Sequence, residues 1–160
     1  MSQDNKYHLG LCMAGAVSAG AYTAGVMDYL IEALDKWERL KGTDESIPTH
    51  EVQIDVIGGA SAGGMTSIIA AIALQKKFDP ICRLPENGGT ENPFFDSWVN
   101  LASKNMMRLM LNNSDFENDK TVKSIFNSSF IDTVAGRAIS TFIPGEANRK
   151  YIKNDLDVFV

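Results

Sequence analysis

Residues 51–67 read EVQIDVIGGASAGGMTS and combine an apolar run, a turn of small residues and the start of a helical pattern. The apolar run is rich in β-branched side chains, which is typical of a buried strand. Apolar residues return at helical spacing from Met65 onward, directly after the small residues. This order of strand, tight turn and helix predicts an α/β fold. It is also the context in which a G-x-S-x-G pentapeptide, here Gly59 to Gly63, forms a nucleophile elbow around Ser61.

The residues around Ser61 are all small, as a strained turn requires. Glycine at Gly59 and Gly63 and alanine at Ala62 remove side chains that would collide with the strand or the helix. Backbone N–H groups at a helix N-terminus favour developing negative charge, so the N–H of Ala62 is a candidate oxyanion donor. Ser61 is therefore predicted to be the nucleophile of a serine hydrolase. The alternative is a structural serine in a glycine-rich turn that binds phosphate.

The first half of the chain repeats the strand–helix order. Strands are predicted at 7–13 and 51–58, each followed by a helix, at 20–40 and 63–77. That order implies a parallel sheet with right-handed crossovers. Weaker patterns follow, with a predicted loop at 79–93, helices at 94–111 and 120–142, and a closing strand at 156–160.

Composition narrows the class of protein. A length of 160 residues with 44% hydrophobic residues is typical of one globular domain with a sizeable core. A net charge of −5 with mixed signs argues against nucleic acid as a partner. The sequence shows no cluster with metal-ligand spacing, so neither a metal nor a cofactor is predicted.

Cys12, in an apolar run, is predicted to be buried. The polar start, residues 1–8, lacks a signal-peptide pattern and predicts a cytoplasmic location.

Two charge-free stretches raise the alternative of a membrane hairpin. Residues 9–27 and 56–74 are each long enough to cross a bilayer. Both are rich in glycine, alanine and serine, and neither has aromatic or basic flanks. The favoured interpretation of each stretch is therefore a short strand followed by a helix.

A second run of small residues follows the first predicted strand. Glycines stand at 10, 15, 20 and 25, a spacing that matches neither strand nor helix. Loops after neighbouring parallel strands open on one edge of the sheet, so this loop is predicted to face Ser61. The predicted oxyanion donors are its backbone N–H groups at Gly15, Ala16, Val17 and Ser18. The alternative role is packing, with small residues letting the first helix approach the sheet.

With both motifs placed, the sequence resembles the patatin-like phospholipases over roughly its first 75 residues. Residues 20–26 read GAYTAGV and residues 59–63 read GASAG, which match the family's loop continuation and its elbow. The resemblance implies a three-layer α/β domain with a mostly parallel sheet. It also implies a lipid acyl hydrolase that forms an acyl-enzyme on serine. The substrate would be a phospholipid or other acyl ester. The protein would bind it during transient, peripheral contact with a membrane surface.

Two departures from the family pattern limit what the resemblance implies. The family loop has the form G-G-G-x-R-G, and its arginine is Ala19 in this chain. Patatin-like enzymes use a Ser-Asp dyad with the aspartate in an Asp-Gly pair, and this chain has no Asp-Gly dipeptide. His8 and His50 are predicted at the strand ends opposite the elbow, which argues against a Ser-His-Asp triad. Residues 1–160 are therefore expected to be the N-terminal part of one patatin-like domain, cut before the catalytic aspartate and inactive alone.

Two rival functions remain open at this point. One is a non-catalytic patatin-like module, which the replaced arginine and the missing aspartate favour. The other is a phosphate- or nucleotide-binding α/β domain, although neither glycine-rich loop has a P-loop or G-x-G-x-x-G pattern.

Overall fold

Three parallel strands form the centre of the protein. A computed structural model of the chain describes residues 5–16, 19–86, 89–100, 106–114, 124–140 and 147–160. The strands, which lie side by side in chain order, are β1 (Lys6–Met13), β2 (Glu51–Gly59) and β3 (Ile152–Phe159). The long helix α1 (Gly20–Leu40) joins β1 to β2, and α2 (Ala62–Ala73) follows β2. The predicted α/β class with a parallel sheet is confirmed.

The segment between α2 and β3 is less regular than its sequence pattern predicts. Its described elements are α3 (Pro93–Phe95), a π-helical turn (Asp96–Asn100), α4 (Met106–Met110) and α5 (Ser129–Ser140). Within the helix predicted at 120–142, residues 124–128 are not helical. Helix α5 starts at Ser129, where the Asn127 carboxamide accepts hydrogen bonds from the backbone N–H and hydroxyl of Ser129. The parts of these predictions that fall on 101–105, 120–123 and 141–142 lie outside the described residues. β3 begins at Ile152, four residues earlier than predicted, because Ile152 pairs with Ile54 of β2.

The core lies between the sheet and the helices. Ile54 and Ile57 of β2 are fully buried against α2, whose Ala70 and Ala73 are also fully buried. From α1, Met27, Ile31 and Leu34 enter the same core. No helix in the described ranges is long and apolar enough to cross a membrane. Both charge-free stretches instead contain a strand followed by a helix.

A bulge in β2 explains why Ile54 and Ile57 are buried together although they are three residues apart. The pairing with β1 passes from Leu9–Ile54 directly to Gly10–Val56, which leaves Asp55 as an extra residue of β2. The pairing with β3 is also irregular at this point. An extra residue reverses the alternation of side chains along a strand. Ile57 therefore returns to the core face, and Asp55 lies on the opposite face.

The opposite face of the sheet carries polar side chains. Cys12 is exposed there, so the prediction that it is buried is wrong. Alternation along β1 directs Leu9, Leu11 and Met13 toward the core, which leaves Cys12 on the other face.

Arg149 connects the end of α2 to α1 and to the start of β3. Its guanidinium donates from Nη1 to the carbonyl oxygens of Ala73, Leu74 and Lys76 at 2.7–3.1 Å. Its Nε lies 3.1 Å from both carboxylate oxygens of Asp35 in α1. The Arg149 side chain is only 6% exposed, so these acceptors share a cation that is largely removed from water.

Tyr151 completes this cluster. It is buried, and its hydroxyl donates to Oδ1 of Asp35 at 2.8 Å. Burial, followed by this hydrogen bond, raises the pKa of Tyr151 well above its ordinary value, so the phenol stays protonated and donating.

We expect Arg149→Met to lower the free energy of unfolding by about 3 kcal/mol, because it leaves the carbonyl groups at the end of α2 without their buried donor and removes the cation that pairs with Asp35. Urea unfolding followed by circular dichroism measures the change. Arg39→Met, which removes an exposed arginine of α1, is the matched control and should change stability by no more than about 0.5 kcal/mol. Equal effects of the two substitutions would show that Arg149 does not hold these elements together.

Candidate active site

Ser61 has the most unusual backbone in the described part of the chain. Its φ is 52° and its ψ is −120°, and it is the one non-glycine residue there with a positive φ. Backbone strain of this kind costs about 1–3 kcal/mol and persists only where the surrounding structure imposes it. Ser61 lies between the last residue of β2 and the first turn of α2, and it is exposed.

The end of β1 holds the turn in place. The carbonyl oxygen of Met13 accepts a hydrogen bond from the Ala60 N–H at 3.3 Å. The same oxygen would lie 2.5 Å from a Cβ added at Gly59, and it would overlap a Cβ added at Gly63. Glycine is therefore required on both sides of Ser61, because the backbone of β1 occupies the space of a side chain.

The glycine-rich loop after β1 lies directly beside Ser61. A Cβ added at Gly15 would stand 3.1 Å from the Cβ of Ser61 and 3.1 Å from the carbonyl oxygen of Ala60. β1 and β2 end level with each other, with Met13 opposite Gly59, so the loop and the turn leave the sheet at the same edge. Gly15 is exposed and Ala16 is half-buried, whereas Val17 and Ser18 lie outside the described residues.

Ala62 begins α2 and is buried, so its backbone rather than its side chain is what the site can use. The structure thus places Gly15 beside Ser61 and Ala62 directly after it, and Ala16 follows Gly15 along the chain. Backbone N–H groups in a loop and at a helix N-terminus are the donors that stabilise an oxyanion beside a nucleophilic hydroxyl.

Two carboxylates of the neighbouring strands, Asp55 and Asp157, have other partners. Asp55 accepts a hydrogen bond from Gln53 and lies 2.6 Å from Nδ1 of His8. The hydrogen bonds from Gln53, then from His8, lower the pKa of Asp55. Asp55 precedes the last residue of β2 by four positions, roughly 13 Å along the strand. Asp157 of β3 pairs with Lys153.

No residue of the described ranges forms a hydrogen bond with the Ser61 side chain. The His8–Asp55 pair lies in the middle of the sheet rather than at the elbow, so these two residues do not form a triad with Ser61. The described residues therefore show a strained serine beside the Gly15 loop, with no described side chain hydrogen-bonded to its hydroxyl.

The contacts at the start of α1, where the glycine-rich loop ends, were not predicted from the sequence. The indole of Trp98 packs on Gly20, the first residue of α1, and Asn92 caps α3 with its carboxamide oxygen. An Asn-Pro pair at 92–93 is a recognisable helix-start signal. No local pattern indicates the Trp98 contact, because the two residues are far apart in sequence.

A parallel α/β sheet whose second strand turns through a strained, exposed serine into a helix is the architecture of the nucleophile-elbow proteins. Within that class, residues 11–157 match the model of the family described as patatin-like phospholipase, and the chain belongs to this family. Membership supports lipid acyl hydrolysis as the activity at the level of the family.

The chain is also similar to an uncharacterized protein of Sinorhizobium fredii (strain NBRC 101917 / NGR234), named y4iI. The two are 31% identical over 167 residues, which cover 96% of this chain and 23% of the relative. The chain thus spans about a quarter of the length of the curated relative it matches. No solved structure matches the chain significantly.

Proposed function

We propose that the protein hydrolyses the ester bond of a phospholipid or other acyl lipid, with Ser61 as the nucleophile. The observation that carries the proposal is the strained backbone of Ser61, which holds an exposed hydroxyl against the glycine-rich loop. Strain is retained at functional sites because it fixes a reactive group in place. Residues in such sparsely populated backbone conformations cluster at active sites, which favours a catalytic role for Ser61.

The reaction proceeds in two steps on this geometry. Ser61 Oγ attacks the ester carbonyl and gives its proton to a base, which passes that proton to the departing alcohol as the acyl-enzyme forms. The base then takes a proton from the attacking water and passes it to Ser61 Oγ as the carboxylic acid is released. In both steps the N–H groups of Gly15, Ala16 and Ala62 stabilise the oxyanion. Val17 and Ser18 belong to the same proposed loop, outside the described residues.

We assign the base to an aspartate outside residues 1–160, which makes these residues the N-terminal part of a longer patatin-like domain. Two observations support this assignment. The chain has no Asp-Gly dipeptide, and the described carboxylates Asp55 and Asp157 are paired elsewhere. Contact with the lipid takes place at a membrane surface and is transient.

Labelling with a fluorophosphonate probe, followed by peptide mapping, tests the proposal. The probe is applied to the native protein from its own cells and to the 160-residue chain. We expect the label on Ser61 of the native protein and little on the isolated chain. Ser46→Ala, which removes an exposed loop serine, should leave labelling unchanged. Equal labelling of both forms would place the base within these residues.

Absence of label from both forms would overturn the proposal. A thermal shift on adding nucleotide or phosphate would then indicate an anion-binding turn, because a ligand of the folded state raises its stability. No shift would leave the non-catalytic patatin-like module.

A further inference from the structure

The first residue of α1 lies directly beneath the ring of Trp98. A Cβ added at Gly20 would stand 2.5 Å from Cζ2 of the indole and would overlap Cη2 and Cζ3 of the same ring. Gly20 is buried, although it begins a helix at the edge of the sheet. The indole therefore covers the point where the glycine-rich loop becomes α1.

The segment that carries Trp98 is fixed to α1 at a second point. Nδ2 of Asn92 donates to Oδ1 of Asp28 at 2.8 Å, and both residues are buried. The second carboxylate oxygen of Asp28 accepts the backbone N–H of Ile81 at 3.0 Å. Asp28 lies eight residues, about 12 Å, after Gly20 along α1. Residues 92–98 therefore contact α1 at two points two turns apart.

Packing, rather than hydrogen bonding, sets the position of the indole. Nε1 of Trp98 is buried and has no hydrogen-bond partner in the part of the chain that the structure describes. A buried N–H without a partner is unfavourable, so it is kept only where the rest of the ring is well packed. The six-membered ring of Trp98, which meets Gly20, provides that packing.

We propose that Trp98 is a positioning residue for the proposed oxyanion donors, acting through Gly20. The loop is anchored at one end by Met13, beneath the elbow, and at the other end by the indole on Gly20. Gly15 and Ala16 lie between these anchors along the chain, and a Cβ added at Gly15 would stand 3.1 Å from the Cβ of Ser61. Removing the ring frees one anchor and lets the N–H groups move away from the oxyanion. This inference rests on the proposed function, because it concerns the same oxyanion.

A size exchange across the contact tests the inference in the native protein. Gly20→Ala pushes the indole away, and Trp98→Phe removes the ring carbons that meet Gly20. Each single substitution should lower kcat at least about tenfold with KM within about twofold, because the donors act on the transition state. The double substitution Gly20→Ala/Trp98→Phe restores a matched contact and should recover most of the lost rate. Tyr22→Ala, which truncates an exposed ring on the first turn of α1, should leave kcat unchanged.

A spectroscopic measurement separates positioning from simple destabilisation. The chain has two tryptophans, and Trp37 lies at the other end of α1 with its Nε1 bonded to Pro48. The emission of Trp98, taken as the difference between the native protein and its Trp98→Phe variant, should shift when the fluorophosphonate reacts with Ser61. A double substitution no faster than Gly20→Ala, or unchanged emission on labelling, would overturn the positioning role. Absence of labelling at Ser61 in the unsubstituted protein would instead refute the proposed function.

Discussion

Ser61→Ala is expected to abolish ester hydrolysis by the native protein while leaving its fold intact. Loss of the nucleophile should lower kcat at least about 10⁴-fold. Without the hydroxyl no acyl-enzyme forms, so the backbone donors have no oxyanion intermediate to stabilise. Ser61 is exposed and its side chain has no described partner, so stability should change by no more than about 0.5 kcal/mol. Hydrolysis of a chromogenic ester and urea unfolding measure the two effects.

Ser61→Gly is the matched variant, since it removes the same hydroxyl and also relieves the positive φ. It should be as inactive as Ser61→Ala and more stable by about 1 kcal/mol, because glycine adopts this conformation without strain. Substantial activity in either variant would show that Ser61 is not the nucleophile. Equal stability of the two would show that its backbone strain is negligible.

The largest expected effect on stability is that of Gly63→Ala. The added methyl group would lie 2.9 Å from the carbonyl oxygen of Ala14 and would overlap that of Met13. Both neighbours are backbone atoms, so relief requires β1 and α2 to separate. We expect the free energy of unfolding to fall by about 4 kcal/mol or more, or the protein to fail to fold.

Gly25→Ala is the control for Gly63→Ala, because it makes the same change in a helix where the new methyl group meets nothing within 4 Å. It should stabilise the protein by about 0.5–1 kcal/mol, the ordinary preference of a helix for alanine over glycine. Urea unfolding of both variants gives the comparison. A loss of less than about 1 kcal/mol in Gly63→Ala would contradict the close approach of β1 to the elbow.

The elbow is the part of the structure that the sequence predicts best. A β-branched run, small residues and a helical pattern lie next to each other in residues 51–67, so one short window contains the whole signal. The adjacency of the Gly15 loop also follows from local information, because parallel neighbouring strands end at one edge. The identity of these residues as catalytic groups stays a prediction.

Contacts between distant residues could not be predicted in this way. Nothing near Trp98 indicates that its ring meets Gly20, and nothing near Ile152 indicates that β3 starts there. The prediction that Cys12 is buried is wrong because apolar neighbours in the sequence do not determine which face of a strand a residue occupies. Such features depend on the register between elements, which no single window contains.

The bulge at Asp55 gives β2 one residue more than β1, nine in Glu51–Gly59 against eight in Lys6–Met13. A chain that lacked Asp55 would have Ile54 and Ile57 two residues apart, so regular alternation would keep both in the core and Gly59 opposite Met13. An inserted residue cannot be absorbed in this way, because it would displace Ser61 by about 3.3 Å relative to the Gly15 loop or require a second bulge. Chains related to this one should therefore tolerate the loss of one residue between Ile54 and Val56 far better than the gain of one.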